Sequence, residues 1–429
     1  MTHILIDLGE VPERRGTPGE LPARRPPVPY RALLGALSVV LLALLAGAAT
    51  VRPAPAPTVI PARLGDTTYF DGDLMFVVGS GGEDVGATAR ERTVSVYRLP
   101  AARLTGRSTV TVAGAVIGVV QTGDTLIVGN QLDASGSQEV AAYRLGGDRL
   151  LWRRTARLIA ATDGTVLLSA ADGDYALDAA TGALRWRVPR PPNGFLADTG
   201  LGAGYPGWLV VLTDKGRLET WDAHTGRRVG TTTIPPQRDR ITGMMAPVGG
   251  LLMVAGAGGY YGYRLPGLQR LWHTDVDLSQ SWMQSGCGTV ICTYRQQRGM
   301  TVLDAATGRL LWSSGHWAEA APLGPYLLAT ASAVDDDAVP ALSVLDPRTG
   351  KVLGDFGGWQ GLAEADGGLI YGMRDVPGKY EVWYGVLDPA TRGIDPIGLA
   401  TRVSGGCGVA GGAMVCRLVD ASVAVWRLR

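Results

Sequence analysis

The sequence predicts an all-β chain: a β-propeller of four-stranded antiparallel blades, preceded by one transmembrane helix. Three observations predict it. A pattern recurs about every 40 residues between Tyr97 and Trp426, each copy contains a tight turn, and several copies place a Trp shortly after that turn. A period of this length marks a solenoid, a propeller or an array.

Taking Tyr97, Tyr143, Leu177, Trp221, Tyr263, Leu303, Leu345, Leu387 and Trp426 as equivalent gives nine copies, spaced 34 to 46 residues apart. Propellers usually have four to eight blades, so eight or nine are expected here. The pattern is clearest as L-D-A-A-T-G-x-x-x-W at 177–186 and 303–312. A short alternating strand comes first, with one face to bury and one to wet. The Asp then bonds backbone N–H groups ahead of it, and the Gly takes a positive φ that a β-carbon would penalise. Four copies keep both residues: Asp178 with Gly182, Asp222 with Gly226, Asp304 with Gly308, and Asp346 with Gly350.

The strand after the turn carries the Trp. Trp186 and Trp312 follow their Gly by four residues, and Trp152 and Trp272 hold the matching place in looser copies. A ring burying about 150–250 Å² can fill the wedge between neighbouring sheets. Gly230 and Gly354 stand where two of these Trp residues should be, so those blades must close by other contacts or pack more loosely. Two more apolar stretches precede each anchor across a turn such as Asp163-Gly164, which completes a four-stranded meander. Such a sheet cannot bury both faces alone, and copies stack radially into a ring. The last copy ends without an outermost strand, and residues 57–64 are the candidate replacement.

These residues resemble the PQQ-like propeller repeats of the quinoprotein alcohol dehydrogenase-like superfamily, in which a strand, an A-L-D-A-x-T-G turn and a Trp-bearing strand recur. The resemblance covers nearly all of 57–429. It implies the scaffold, with a membrane-anchored relative of actinobacterial type as the nearest picture. The same repeat serves quinoprotein dehydrogenases and propellers without cofactor. This chain has neither the adjacent Cys-Cys pair that cofactor-binding members often stack on the quinone nor a C-x-x-C-H haem motif. No cofactor is therefore expected, and PQQ has no motif in its support.

The amino-terminal segment predicts location. Residues 32–51 are uncharged and rich in Leu, Ala and Val, and 20 residues at 1.5 Å each span a bilayer core. Arg14, Arg15, Arg24, Arg25 and Arg31 precede them, which by the positive-inside rule keeps the tail in the cytoplasm. The expected organisation is a disordered cytoplasmic tail at 1–30, a signal-anchor helix at 31–52, a Pro-rich spacer at 53–57 and the propeller at 58–429, with a signal peptide cleaved at Ala46-Gly47-Ala48 as the competing view. The expected localisation is a single-pass cell-membrane protein with its propeller outside, contacting the membrane through residues 32–51.

Cys287, Cys292, Cys407 and Cys416 all fall in the propeller, and an even count in an oxidising compartment reads as disulfides. Cys407 and Cys416 flank Gly411-Gly412 symmetrically, so a tight turn would set them opposite each other. A wider turn can bridge Cys287 and Cys292. A four-thiolate metal site is the alternative, but the two pairs belong to different copies.

No catalytic constellation is legible. The net charge of +1 argues against a nucleic-acid groove, and His3, His224, His273 and His316 form no metal-binding or catalytic pattern. There is no G-x-S-x-G, and neither Asp71-Gly72-Asp73 nor Asp335-Asp336-Asp337 has calcium-loop spacing. The expected function is a non-catalytic binding or assembly scaffold on the outer face of a membrane, with a protein partner at one propeller face. A PQQ-dependent or degenerate quinoprotein oxidoreductase and a ligand-sensing membrane protein are the alternatives. No catalytic or metal-binding residue is assigned.

Overall fold

The second strand of each copy is apolar along most of its length, as in Leu251–Gly256, whose six residues are all buried. A strand covered on both faces has to lie between two other sheets. The computed structural model, which describes residues 56–428 except 81–88, 199–203, 235–244, 249, 285–286 and 332–340, shows how this is achieved. Its described residues form nine four-stranded antiparallel sheets, the blades of a propeller. Blades 1 to 8 occupy residues 67–112, 115–154, 157–189, 195–233, 245–274, 282–314, 317–355 and 360–401. The question of eight or nine is settled at nine.

Blade 9 closes the ring. Strands Val403–Ala410, Ala413–Leu418 and Val423–Arg427 supply three of its members, and Thr58–Ile60 pairs outermost as Thr58↔Val425, Val59↔Ala424 and Ile60↔Val423. The Arg417 guanidinium adds a clasp by donating to the carbonyls of Arg63 and Asp66. The chain divides into Met1–Pro53 and Ala54–Arg429, and the propeller is the second unit.

The expected localisation is corrected at this point. Among the described residues no helix is long and apolar enough to cross a membrane. Their helical content is the three-residue turn Asp366–Gly368, against the ~20 residues a spanning helix needs. The single-pass anchor with a cytoplasmic amino terminus and an external propeller is therefore not carried forward. The segments behind that expectation, residues 1–30 and 32–51, lie outside the described residues.

The core lies in the seams. Nine hydrophobic clusters each join two neighbouring blades, from Phe76 and Val96 of blade 1 against Leu126 and Tyr143 of blade 2 round to Val415 and Val425 of blade 9 against Met75 and Leu99 of blade 1. Alternation along one strand serves two seams, since Val166 and Leu168 face blade 2 while Leu167 faces blade 4.

The repeat motif builds the outer part of four seams. Trp152 of blade 2 donates its indole N–H to Ala179 O in the turn of blade 3, at 2.7 Å. Trp186 reaches His224 O (3.1 Å), Trp272 reaches Ala305 O (2.9 Å) and Trp312 reaches Pro347 O (3.0 Å), each in the next blade. The turn glycine is required twice over. Gly182 has φ +69°, and a β-carbon there would stand 2.6 Å from Trp152 Cγ. Gly226, Gly308 and Gly350 meet Trp186, Trp272 and Trp312 in the same way.

Five seams lack this indole, and in three of them a glycine stands in the ring position and other contacts close the gap. Gly106, in the ring position of blade 1, is covered by the side chain of Leu145. At Gly230 the Pro266 carbonyl approaches the backbone and accepts the Thr220 hydroxyl at 2.6 Å. At Gly354 the partners are exchanged. Arg392 occupies the turn position that is Gly elsewhere, with φ +60°, and folds its side chain over Gly354 while donating to Leu353 O at 3.2 Å.

The turn aspartates are held as carboxylates. Asp178 Oδ1 accepts from the backbone N–H of Ala180 and Thr181 and from the Thr181 hydroxyl. Its other oxygen meets Arg185 at 2.8 Å. The Arg185 and Thr181 donors hold this carboxyl at about 2. Thr391 lowers Asp388 likewise. Burial opposes ionisation of Asp304 and Asp346, yet the donors around them, Thr307 and the Arg348 and Thr349 backbone among them, keep both below the usual range.

Two outcomes follow for stability. Trp152→Ala should cost about 3–5 kcal/mol in urea unfolding, and Gly354→Trp should destabilise alone but recover when combined with Arg392→Gly. Because the turn carboxyls are depressed in the folded state, their contribution is complete above about pH 4 and is lost as pH falls through the folded values towards about 2. Melting temperature should drop across that window, and less steeply in Asp178→Asn; an unchanged slope would remove Asp178 from the account.

Candidate functional site

The first strand of each blade forms the inner wall. Thr67–Asp71 touches Ala115–Thr122, which touches Arg157–Thr162, and Gln360–Ala365 touches Val403–Ala410. Where blades converge there is little room, and these strands favour Ala, Gly and Val. Three large apolar side chains on the wall are nonetheless substantially exposed: Phe70, Ile117 and Phe195. The ionisable residues of the described inner strands are Asp71, Tyr69, Arg157, Asp198, Glu319 and Glu364. Arg157 already faces Asp198 at 3.8 Å, so the wall is acidic on balance.

All four cysteines are paired. Cys407 joins Cys416 from the inner strand of blade 9 to its second strand, across a register shift between Gly405 and Gly408 that turns Cys407 towards its partner. Cys287 joins Cys292 in blade 6. Among the described residues no group of His, Cys, Asp and Glu could hold a metal ion, and the two cysteine pairs belong to separate seams.

The remaining candidates scatter. His224 stacks on Tyr205 with ring centroids 4.9 Å apart, and burial pushes the Tyr205 hydroxyl up to about 12, where it serves as a donor to Ala223 O. Trp317, Trp359, Tyr260, Tyr261 and Tyr263 are core residues, whereas Trp383 is exposed. Asp335, Asp336 and Asp337 lie outside the described residues, as does the side chain of Trp282. One titratable group was not anticipated. Burial pushes the Asp174 carboxyl up, against the pull of Ser169 and of Arg190, whose nearest nitrogen is 3.8 Å from Oδ1.

The largest of the described clefts, about 550 Å³, opens between blades 7 and 8. Its floor is Leu323, Leu328, Leu342, Trp359 and Ile370, all buried. Glu319 lines one side and Glu364 the other, both exposed and without an ionic partner among the described residues. The sequence did carry a signal for them. Ala318-Glu319-Ala320 and Ala363-Glu364-Ala365 place a charge within two otherwise small, apolar inner strands.

A family model described as outer membrane protein assembly factor BamB matches residues 82–257 and 136–356, together well over half of the chain. No curated protein matches the sequence. Similar solved structures include BamB from Moraxella catarrhalis, at 14% identity and a TM-score of 0.41, covering 87% of this chain and 97% of that one. The computationally designed Ika8 protein is 16% identical with a TM-score of 0.41, covering 73% and 96%. Dihydro-heme d1 dehydrogenase NirN in complex with DHE is 14% identical with a TM-score of 0.42, covering 81% and 80%. At these values the likenesses carry nothing about function.

Maleimide labelling of the native chain without reductant should find no free thiol. Replacing Cys407 and Cys416 together by Ser should lower stability by about 2–3 kcal/mol, the range for a loop this short; labelling of four thiols in the folded protein would contradict both bridges.

Proposed function

We propose that this chain, which belongs to the PQQ-like β-propeller repeat family whose matching model is described as an outer membrane protein assembly factor, is a non-catalytic scaffold that binds a protein partner. One observation carries the reading most of the way. The motif residues that recur are consumed by construction, since the Asp residues hold turns and the Trp and Gly residues fill seams. What varies between blades is left for recognition.

The inner wall also argues against the quinone that other users of this repeat hold. PQQ is a planar tricarboxylate. It would meet Asp71, Asp198, Glu319 and Glu364, and Arg157, the cation among the described inner strands, is already committed to Asp198. Like charges in a partly desolvated funnel repel, and each unpaired carboxylate there costs binding energy. The residues present do not fit that cofactor, and no redox step is derived.

The test adds PQQ with calcium or magnesium to the purified chain and follows quinone absorbance and dye reduction with alcohols and sugars. No shift and no turnover are expected. Sustained dye reduction would replace this reading with an oxidoreductase.

A further inference from the structure

We infer that the cleft between blades 7 and 8 receives an extended segment of a protein partner that presents a Lys or Arg side chain beside a large apolar one. The inference rests on the scaffold reading and names the site and chemistry of recognition.

Size comes first. At about 550 Å³ it exceeds the other described clefts, which hold about 320, 410 and 230 Å³, and it lies well inside the ~300–1,000 Å³ range of ligand sites. The opening has a local cause. Ala320, Ala321, Gly361 and Ala363 line its inner strands, so bulk is missing from the wall above a floor of Leu, Ile and Trp. The same seam lacks the indole wedge, because Gly354 stands in its place. Apolar side chains of a guest can enter and bury area against that floor, at roughly 25 cal/mol per Å².

Charge then selects the guest. Acidic side chains elsewhere on the propeller are commonly paired, as Glu219 is with Arg217 and Arg228, Asp304 with Arg348, and Asp420 with Arg402. Among the described residues Glu319 and Glu364 have no such partner, although each lines this one cleft from a different blade. Two unneutralised carboxylates beside an apolar floor disfavour an anionic or purely apolar occupant and favour a cation carried on an apolar body. A side-chain pair on an extended polypeptide meets both demands. A compact polyamine meets only the second and leaves the floor wet.

The experiment uses the whole chain and four probes: the capped pentapeptide Gly-Leu-Arg-Phe-Gly, its Arg-to-Glu and its Leu,Phe-to-Ser,Ser counterparts, and spermidine. Calorimetry and saturation-transfer NMR read binding. The Arg-Phe peptide should bind at least about tenfold tighter than the other three. Glu319→Gln with Glu364→Gln, which preserves shape, should lose about that factor, and Ala363→Phe, which fills the cleft, should abolish the signal. Should Ala363→Phe fail to fold, the Gln pair decides. Equal binding of the Glu peptide, undiminished binding to the Gln pair, or spermidine matching the peptide would each overturn the inference. Failure here with no quinone-dependent turnover removes the cleft and leaves the scaffold; turnover removes the scaffold whatever the peptides do.

Discussion

An indole lying on a glycine is the contact on which the rest of this propeller depends. A blade four strands wide can bury neither face by itself, and the hydrophobic clusters all lie between blades. Packing in the seams must therefore also fix how blades are oriented. The indole does both: its ring covers the turn glycine while its N–H is tied to a carbonyl of the same turn. Position, area and a satisfied polar group come from one side chain.

This division of labour explains why the repeat says so little about activity. Asp178 spends its carboxylate on two backbone N–H groups, a hydroxyl and a guanidinium. A group so committed is a poor base and a poor ligand. Recognition then falls to positions outside the motif, and the two glutamates of blades 7 and 8 are of that kind.

Legibility in the sequence followed the range of the interaction. Turns are local, so D-A-A-T-G could be read directly, and the nine anchors counted the blades correctly. The Cys407–Cys416 pairing could be anticipated from symmetry about Gly411-Gly412, again a local matter. What escaped was non-local. Gly106 went unnoticed as a third vacant ring position because its strand, Arg103–Val112, follows a divergent turn. The covering role of Arg392 keeps the spacing of the motif contact but reverses which side supplies the bulk, and no residue pattern in the sequence marks that exchange. The cleft escaped for a related reason, since Ala and Gly in an inner strand read as tight packing whether the space above them is filled or open. The membrane reading failed differently. It rested on the composition of residues that the described structure does not include, and the described residues contain no spanning helix.

The exchanged contact at Gly354 and Arg392 has a consequence for how nine near-copies find their order. A blade ending in Trp would collide with the Arg392 turn, and a blade ending in Gly354 would leave uncovered the glycine turns that a Trp ring covers in four other seams. Blade 7 and blade 8 thus accept one another and reject most of their siblings. In a chain of similar repeats, where a slipped pairing of equivalent strands is the characteristic misfolding hazard, this seam acts as an address label that fixes which copy follows which.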